Sequence, residues 1–464
     1  MSISEINSNI PFFPDDTIIF GILSVTLAMV FYTSKQPAFK KFYSIVPTLL
    51  LCYFLPSVLT SLGVIADKWI DVSATISHLQ SIYGNLTDVE TLDQLKTYIS
   101  ENNIKDSDYK QFIGKSNLYY ISSRYLLPAS LIFLTLSIDL KGVMKLGSKA
   151  LIMFVTATIG VMIGGPIAIL FFKYVAPEML TSVEGSELWR GLSTVAGSWI
   201  GGGANQLAMK EQWEVGDSLF SIMVVVDVLV AEVWMAFLLI GVAKSDAIDR
   251  FFKADNSTIK TLQAKMEKFT VETARIPTFY DLMMLLAIGF GFTSLSHFLG
   301  NTFSNFIKEN IPSLVDFGLG SGFFWLIILA TTFGIILSFS KMREFEGAGA
   351  SKIGTVFIYI LVASIGMKMN LNAIAENLGL FAIGLVWMIV HVGLLFIVAK
   401  IIRAPYFFLA VGSKANIGGA ASAPVVAGAF HPSLAPVGVL LAVLGYALGT
   451  YGAFACALLM KWVS

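Results

Sequence analysis

The chain has 464 residues, of which 56% are hydrophobic and only 13% are charged. Soluble domains carry about twice that share of charge, roughly 25%, and the apolar residues here form runs long enough to cross ~30 Å of hydrocarbon. The 31 basic and 31 acidic residues balance, so nucleic acid is not an expected partner. The composition predicts an all-α, polytopic membrane protein whose first partner is the lipid bilayer.

The apolar runs predict roughly 11 to 13 transmembrane segments. They lie at about 17–33, 43–65, 118–138, 150–172, 189–210, 219–243, 281–299, 323–339, 354–369, 378–402, 406–429 and 436–462. Asp15 and Asp16 precede the first run, and Lys35, Lys40 and Lys41 follow it, which places the N-terminus outside. We expect a multi-pass protein of the bacterial cytoplasmic (inner) membrane.

Two polar stretches interrupt this pattern. Residues 67–116 predict a small extracytoplasmic helical insertion, in which Thr87-Asp-Val-Glu90 resembles a capping box that opens a helix through Ile99. The insertion is either a lid or partner surface, or solvated decoration; we favour the second, since loop excursions vary freely. Residues 244–277, predicted helical around 259–273, form a linker between a first transmembrane repeat at 1–243 and a second at 278–464.

One glycine-rich motif occurs twice, each time inside an apolar segment. Ala196-Gly-Ser-Trp-Ile-Gly-Gly-Gly-Ala-Asn205 resembles Ser413-Lys-Ala-Asn-Ile-Gly-Gly-Ala-Ala-Ser422. Each glycine in a helix costs about 1 kcal/mol relative to alanine, and broken backbone at membrane depth is tolerated only where protein buries it or where it lines a cavity. Small residues also let helices cross closely. We favour binding because corresponding breaks in two halves indicate a transporter site.

A second pair of similar stretches supports an internal duplication. Two similar stretches each end an apolar segment, Leu136-Ser-Ile-Asp-Leu-Lys141 and Ala363-Ser-Ile-Gly-Met-Lys368. In both cases one further segment follows, and the glycine-broken segment comes after it. Basic loops at 141–149, 341–343 and 400–403 favour opposite directions for the two copies. A count of six plus six crossings would instead make the copies parallel, and the sequence leaves this choice open.

The broken segments supply the candidate substrate-binding groups. Backbone carbonyls at a break suit a cation, and the N-terminus of the following half-helix suits an anion. Asn205 and Ser422 are predicted at the N-caps of the second half-helices. The predicted substrate-binding residues are Ser198, Gly201, Gly202, Gly203, Asn205, Gln206, Ser413, Asn416, Gly418, Gly419 and Ser422.

Three charged residues are the candidates for ion coupling. Asp227 and Glu232 lie in one apolar segment, where a carboxylate is expensive and by default functional. Five residues apart, they project ~140° from each other on a helix and belong to separate sites. Asp227 is a carrier of sodium or protons, or half of a structural ion pair. Lys414 neutralises Asp227, contacts an anionic substrate, or competes with the coupling ion.

Other candidates are assigned structural roles. His391 is expected to make an interhelical hydrogen bond and not to relay protons, and Trp199 and Trp387 are expected to pack. No phosphate-binding Gly-rich loop, His/Cys metal cluster or Ser/His/acid arrangement stands out. We therefore expect no enzyme, no cofactor, and no metal beyond a sodium site near Asp227.

The motifs resemble a known family. Gly197-Ser-Trp-Ile-Gly-Gly-Gly-Ala-Asn205, the second motif continued to Pro424, and Leu444-Gly-Tyr-Ala-Leu-Gly-Thr-Tyr451 are similar to the YjcL-like family of membrane proteins, a domain of unknown function. The resemblance covers nearly the whole chain except residues 67–116. The family is grouped with cation/proton antiporters and bile-acid sodium symporters. That grouping implies two inverted repeats with crossing discontinuous helices, a core plus a panel or scaffold domain, and elevator-type alternating access.

These observations favour an ion-coupled secondary transporter of a small polar or anionic organic solute, such as an organic acid, amino acid or short peptide. Sodium or protons are the expected coupling ion, and symport into the cell is the preferred direction. A cation/proton antiporter is the alternative within transport. A membrane sensor or enzyme on the same scaffold is the alternative outside it. The expected partners are the solute and a second copy in a homodimer.

Overall fold

The computed structural model describes residues 6, 8–43, 46, 48–84, 86, 89–138, 146–183, 185–254, 259, 276–317, 319–368, 377, 379–431 and 434–464. Three sequence predictions fall wholly or mostly outside these residues. They are the start of the capping box at 87–88, most of the basic loop at 141–149, and the linker helix at 259–273.

Helices account for nearly all of the described structure. Up to residue 252 the elements are α1 (Asp16–Ser34), α2 (Thr48–Ser61), β1 (Lys68–Ile70), α3 (Val72–Tyr83), α4 (Leu92–Glu101), β2 (Ile113–Lys115), α5 (Leu127–Leu136), α6 (Ser148–Val175), α7 (Leu188–Gly201), α8 (Gly203–Gln212), α9 (Asp217–Val242) and α10 (Ser245–Phe252). They continue with α11 (Phe279–Asn310), α12 (Gly322–Ser338), α13 (Ala350–Gly366), α14 (Leu380–Ile402), α15 (Tyr406–Asn416), α16 (Gly419–Phe430) and α17 (Ala435–Val463). Short helical turns occupy Pro37–Phe39, Lys40–Tyr43, Asp106–Asp108, Lys110–Phe112, Leu118–Ile121, Ser122–Leu126, Pro177–Leu180, Pro312–Phe317 and Lys341–Glu346.

The predicted multi-pass helical membrane protein is confirmed. Within the described residues, six helices are long and apolar enough to cross a bilayer, namely α1, α6, α9, α11, α14 and the stretch Val437–Val463 of α17. The apolar helices α12 and α13 are shorter. Every predicted apolar run overlaps an observed helix or a pair of half-helices. The total of 11 to 13 segments and the inverted repeats stay predictions.

The chain divides into two compact units. The first contains residues 1–124 and 359–371. Its helix α1 begins where the side chain of Asp15 accepts a hydrogen bond from Thr17 N at 2.8 Å, as an N-cap residue does. Ile19 on α1 packs in one buried apolar cluster with Ala363 of α13 and with Met367, which follows that helix.

The insertion at 67–116 lies in this first unit and is not purely helical. β1 and β2 pair antiparallel, with Lys68 opposite Lys115, and Ser116 N donates to Asp67 O at 2.8 Å. This ribbon closes the insertion at the limits predicted from the sequence. The helices α3 and α4 cover a small core of their own, made of Ile6, Ile70, Val72, Leu79, Leu86, Leu95, Ile99, Ile104 and Tyr109.

The helix predicted through Ile99 is confirmed as α4, but its cap differs from the prediction. Thr91 is the N-cap residue, and its side chain and that of Gln94 bond reciprocally to the backbone at 3.3 and 3.0 Å. The capping box therefore lies one turn later than Thr87. Nearby, the Tyr83 hydroxyl donates to Asp108 at 2.6 Å, which lowers the pKa of the Asp108 carboxyl and raises that of Tyr83.

The second unit contains residues 125–358 and 372–464. One of its apolar clusters joins α5, α11 and α12 through Phe133, Ile288 and Ala330. Elsewhere in the unit α17 packs along α7 and α16, and α6 packs along α14 and α15. The half-helices α7, α8, α15 and α16 therefore pack against full-length helices of the same unit.

Candidate functional site

The first helix break lies at Gly202, between α7 and α8. Gly202 has a φ of +78°, a conformation that glycine adopts without the steric penalty of other residues. Its N–H donates to Ser198 O at 2.9 Å, and its carbonyl accepts from Gln206 N at 3.1 Å. Residues 191–201 and 204–209 are buried, whereas Gly202 and Gly203 are half-buried. The backbone is therefore accessible at the break itself.

The second break lies between α15 and α16 and includes Ile417 and Gly418. Gly418 has a φ of +98° and Gly419 a φ of +56°. Residues 404–417 and Gly419 are buried, but Gly418 is exposed. Both glycine motifs thus break a helix after a buried half, at a glycine whose backbone is accessible, as the sequence predicted for discontinuous segments.

The predicted N-caps are wrong. Gly202 and Gly418 occupy the N-cap positions of α8 and α16, and neither helix has a side-chain cap bond there. Asn205 is the third residue of α8 and Ser422 the fourth of α16. The reason is conformational, because the positive φ required at each break favours glycine over the usual capping residues.

Helix α17 passes close to both broken helices. A Cβ atom on Gly445 would lie 3.0 Å from Ile200 O and 3.2 Å from Ala415 O. One turn further, a Cβ on Gly449 would lie 2.5 Å from Asn205 Nδ2 and closer still to Gly201 Cα. The C-terminal ends of the half-helices α7 and α15 therefore meet at the same glycine-lined face of α17.

Asn205 fixes the first break to α17. Its Nδ2 donates to Gly201 O at 3.0 Å and to Tyr446 O at 3.3 Å. Its Oδ1 accepts a hydrogen bond from Thr450 Oγ1 at 2.6 Å. The amide, which is fully buried, thus satisfies a carbonyl next to the break and two groups of the neighbouring helix.

Asn416 repeats this arrangement at the second break, with α6 as the neighbour. Its Nδ2 donates to Gly412 O at 3.0 Å and to Phe154 O at 3.2 Å, and its Oδ1 accepts from Thr158 Oγ1 at 2.8 Å. Each asparagine therefore donates to the carbonyl four residues earlier in its own sequence. Each also bonds a carbonyl and a threonine hydroxyl of one neighbouring helix, and these two residues are four positions apart. The threonines went unrecognised in the sequence, although each lies four residues after an aromatic residue in a buried helix.

Asp227 on α9 connects the two sides of the first break. Its carboxylate is 4% exposed and accepts hydrogen bonds from Trp199 Nε1 at 2.7 Å and Gln206 Nε2 at 2.9 Å. The Ser198 side chain is a third donor. Trp199 packs as expected, with its ring 5.1 Å from that of Trp387, but its role as a donor was missed. The sequence signal for this role was the position of Trp199 next to Ser198 within the glycine motif.

Lys414 lies in α15, immediately before the second break, and is 1% exposed. Among the described residues its ammonium has one hydrogen-bond acceptor, Ala231 O at 3.3 Å, and it interacts electrostatically with Glu232 and Asp227. Glu232 is exposed whereas Asp227 is buried, but both act on the same ammonium, so the assignment of the two carboxylates to separate sites stays a prediction. Helix α9 therefore contacts both broken helices, through Asp227 on one side and Ala231 on the other.

Ser413 belongs to a chain of hydrogen bonds between helices. Trp234 Nε1 donates to Ser413 Oγ at 2.8 Å, Ser413 Oγ lies 2.9 Å from His391 Nε2, and His391 Nδ1 lies 3.1 Å from Ala157 O. A carbonyl only accepts, so Nδ1 carries the proton and Ser413 donates to Nε2. The expected interhelical hydrogen bond of His391 is confirmed.

Ser422 differs from the other polar residues of the two motifs. Its Oγ is buried and has no hydrogen-bond partner in the part of the chain that the structure describes. A Cβ atom on Gly418 would overlap Ser422 Oγ and lie 3.3 Å from Lys414 Nζ. A free hydroxyl and an under-coordinated ammonium thus face the exposed backbone of the second break.

The described residues contain no group of three or more His, Cys, Asp or Glu that could hold a metal ion. Oxygen ligands for sodium near Asp227 would have to include its carboxylate and backbone carbonyls, which suit a hard cation. The sodium site there stays a prediction.

Fold and site together define a multi-pass helical membrane protein with two glycine-broken helices held against full-length neighbours. The chain belongs to the family described as "Protein of unknown function (DUF819)", which matches residues 111–463. It is 22% identical over 349 residues to "Uncharacterized membrane protein YjcL" of Bacillus subtilis (strain 168), covering 73% of this chain and 82% of that protein. The YjcL-like resemblance is confirmed, although residues 1–110 lie outside the family match.

Proposed function

We propose that this protein is an ion-coupled secondary transporter of a small polar or anionic organic solute. The observation that carries the proposal is the pair of breaks at Gly202 and Gly418, each with accessible backbone at the end of a buried half-helix. Broken backbone is tolerated at membrane depth where it lines a cavity. Paired breaks of this kind are where transporters bind substrate and coupling ions.

Asp227 is the proposed carrier of the coupling ion, sodium or a proton. A buried carboxylate within a membrane helix marks an ion pathway by default. Its oxygens accept bonds from Trp199 on α7 and from Gln206 on α8. Ion binding at this carboxylate would weaken or redirect those bonds, and so would couple ion occupancy to the geometry of the first break.

Two further elements of the proposal concern the arrangement of the halves. We propose that the broken helices belong to two inverted repeats, and that the core containing them moves against a scaffold in an elevator-type cycle. The duplicated motif and the family resemblance support this arrangement. Symport into the cell is the proposed direction.

Uptake into proteoliposomes tests the coupling. A thermal-stability screen against metabolites, with and without sodium, identifies a solute, since a ligand at 100 times its Kd adds about 2.7 kcal/mol. Uptake of that solute should then follow an imposed sodium or proton gradient. Asp227→Asn should abolish gradient-driven uptake, while Asp246→Asn, an exposed carboxyl on α10, should leave it unchanged. Uptake that ignores both gradients would rule out coupling.

A cation/proton antiporter is the second candidate, favoured by the buried Asp227 carboxylate and the nearby Lys414 ammonium. In that case sodium and protons would compete for the carboxylate, and no organic solute would be needed. Proton release from proteoliposomes on addition of sodium alone would favour this candidate. Solute uptake in the absence of such release would exclude it.

A further inference from the structure

We infer that the second helix break contains a carboxylate-binding subsite made of Lys414, Ser422 and the first backbone amides of α16. This inference rests on the proposed transport function, because it names the chemical group by which the solute is recognised. The first break has a different character, since its carboxylate, Asp227, is already bonded to Trp199 and Gln206.

The geometry places the three components around one accessible point. Gly418 is exposed between the buried residues 404–417 and the buried Gly419. A Cβ atom on Gly418 would overlap Ser422 Oγ and lie 3.3 Å from Lys414 Nζ, so the hydroxyl and the ammonium both lie beside the exposed backbone of this residue. A group with two oxygen atoms that enters at Gly418 would therefore meet the hydroxyl and the ammonium together.

Both side chains have hydrogen-bonding capacity that a carboxylate would fill. Ser422 Oγ is buried without a hydrogen bond among the described residues. An ammonium has three donors, and within the described part of the chain Lys414 uses one of them in a hydrogen bond, to Ala231 O. A buried donor without an acceptor costs free energy, so each group gains when an anionic oxygen arrives.

The surrounding charges permit an anion. Glu232 and Asp227 both interact electrostatically with Lys414, so a bound carboxylate would share the ammonium with them. The Asp227 carboxylate already accepts hydrogen bonds from two side-chain N–H groups, and Glu232 is exposed. The N-terminus of α16 adds partial positive charge, and its N-cap residue Gly418 makes no side-chain cap bond. Anions bind at such helix ends.

Ligand-induced stabilisation of the purified full-length protein tests the subsite. The thermal unfolding midpoint is followed with potassium propionate, with propionamide of the same shape, and with potassium phosphate, all at constant ionic strength. Propionate should raise the midpoint saturably, and propionamide should not. Equal effects of propionate and propionamide would overturn the inference, and stabilisation by phosphate alone would overturn the carboxylate assignment.

Two variants assign the effect to these residues. Ser422→Ala removes a buried hydroxyl that has no partner among the described residues, so the ligand-free midpoint should stay the same or rise, while the apparent Kd for propionate should rise about tenfold. Lys414→Gln should abolish the propionate response, and Lys352→Gln, an exposed lysine on α13, should preserve it. Should Lys414→Gln not fold, Ser422→Ala decides alone, and an unchanged Kd would overturn the inference.

The experiments distinguish a failure of the carboxylate subsite from a failure of the transport proposal. Gradient-driven uptake of an uncharged solute, with no propionate response, would leave a transporter without a carboxylate subsite. A propionate response that depends on Ser422, with no gradient-driven uptake of any stabilising solute, would leave the subsite and remove the transport function.

Discussion

At the scale of single residues, the Asp227 carboxylate links the two half-helices of the first break. It accepts from Trp199 on α7 at 2.7 Å and from Gln206 on α8 at 2.9 Å. Hydrogen bonds to charged groups are worth about 1.5–3 kcal/mol, compared with about 0.5–1.5 kcal/mol for neutral pairs. The indole N–H of Trp199 should therefore matter more than an indole N–H bonded to a carbonyl.

The first prediction compares two indole donors. Trp199→Phe keeps a buried aromatic ring but removes the donor to Asp227, and should lower the free energy of unfolding by about 1.5–3 kcal/mol. Trp325→Phe removes a bond to the neutral Leu319 O, 2.8 Å long, and should cost less. Denaturant unfolding in detergent measures both. An equal or smaller cost for Trp199→Phe would show that Asp227 does not depend on this donor.

The second prediction concerns the two asparagine–threonine pairs. Asn205 and Thr450 bond at 2.6 Å, and Asn416 and Thr158 bond at 2.8 Å, all four residues being buried. Double-mutant cycles with Asn→Ala and Thr→Val should give coupling energies of about 0.5–3 kcal/mol in each pair. The unbonded combination of Asn205 with Thr158 is the control and should be near additive. A coupling energy in the control combination as large as in the bonded pairs would contradict a direct role for either hydrogen bond.

At the scale of elements, the third prediction tests the contact between α17 and the broken helices. Gly449→Ala would place a Cβ 2.5 Å from Asn205 Nδ2, and overpacking of this kind costs about 1–3 kcal/mol. Gly393→Ala on α14 is the matched control, because a Cβ there has nothing within 4 Å. Thermal unfolding should show destabilisation by Gly449→Ala alone. Equal thermal unfolding midpoints for the two variants would mean that close packing of α17 does not stabilise the break.

The helices and their breaks could be predicted because their signals are local. Apolar runs gave α6 and α14 to within a few residues, and the glycine motifs gave the breaks at Gly202 and Gly418. The two strands of the insertion were missed because three residues are too few to show an alternating pattern. The N-caps were misassigned because capping preference assumes an ordinary backbone, whereas these positions have positive φ.

The partners within the site could not be predicted because tertiary packing creates them. Asn205 and Thr450 are 245 positions apart, and His391 and Ala157 are 234 apart. Periodicity shows which face of a helix is apolar, but not which helix will cover it. Residue chemistry alone identified Asp227 and Lys414, since a charge in an apolar run is informative wherever its partners lie.

At the scale of the whole molecule, the candidate site and the insertion belong to different parts of the chain. All predicted site residues lie in the unit formed by residues 125–358 and 372–464, and within the family match at 111–463. Residues 67–110 lie in the other unit and outside that match. The candidate site residues predicted from the sequence therefore all lie outside the insertion.

The last prediction follows from how the insertion is closed. Ile70 of β1 pairs with Ile113 of β2, so a two-residue Asn-Gly turn can join them in place of residues 71–112. The shortened protein should lose the small core around Leu79 and Leu95 and keep initial uptake rates in proteoliposomes within about twofold, because long loop changes are tolerated far better than changes in packed cores. The full chain carrying Lys96→Gln, a substitution of a half-buried side chain on α4, is the control for purification and reconstitution. A folded, monodisperse shortened protein that no longer transports would assign the insertion a part in the cycle, as the lid that we considered less favoured from the sequence.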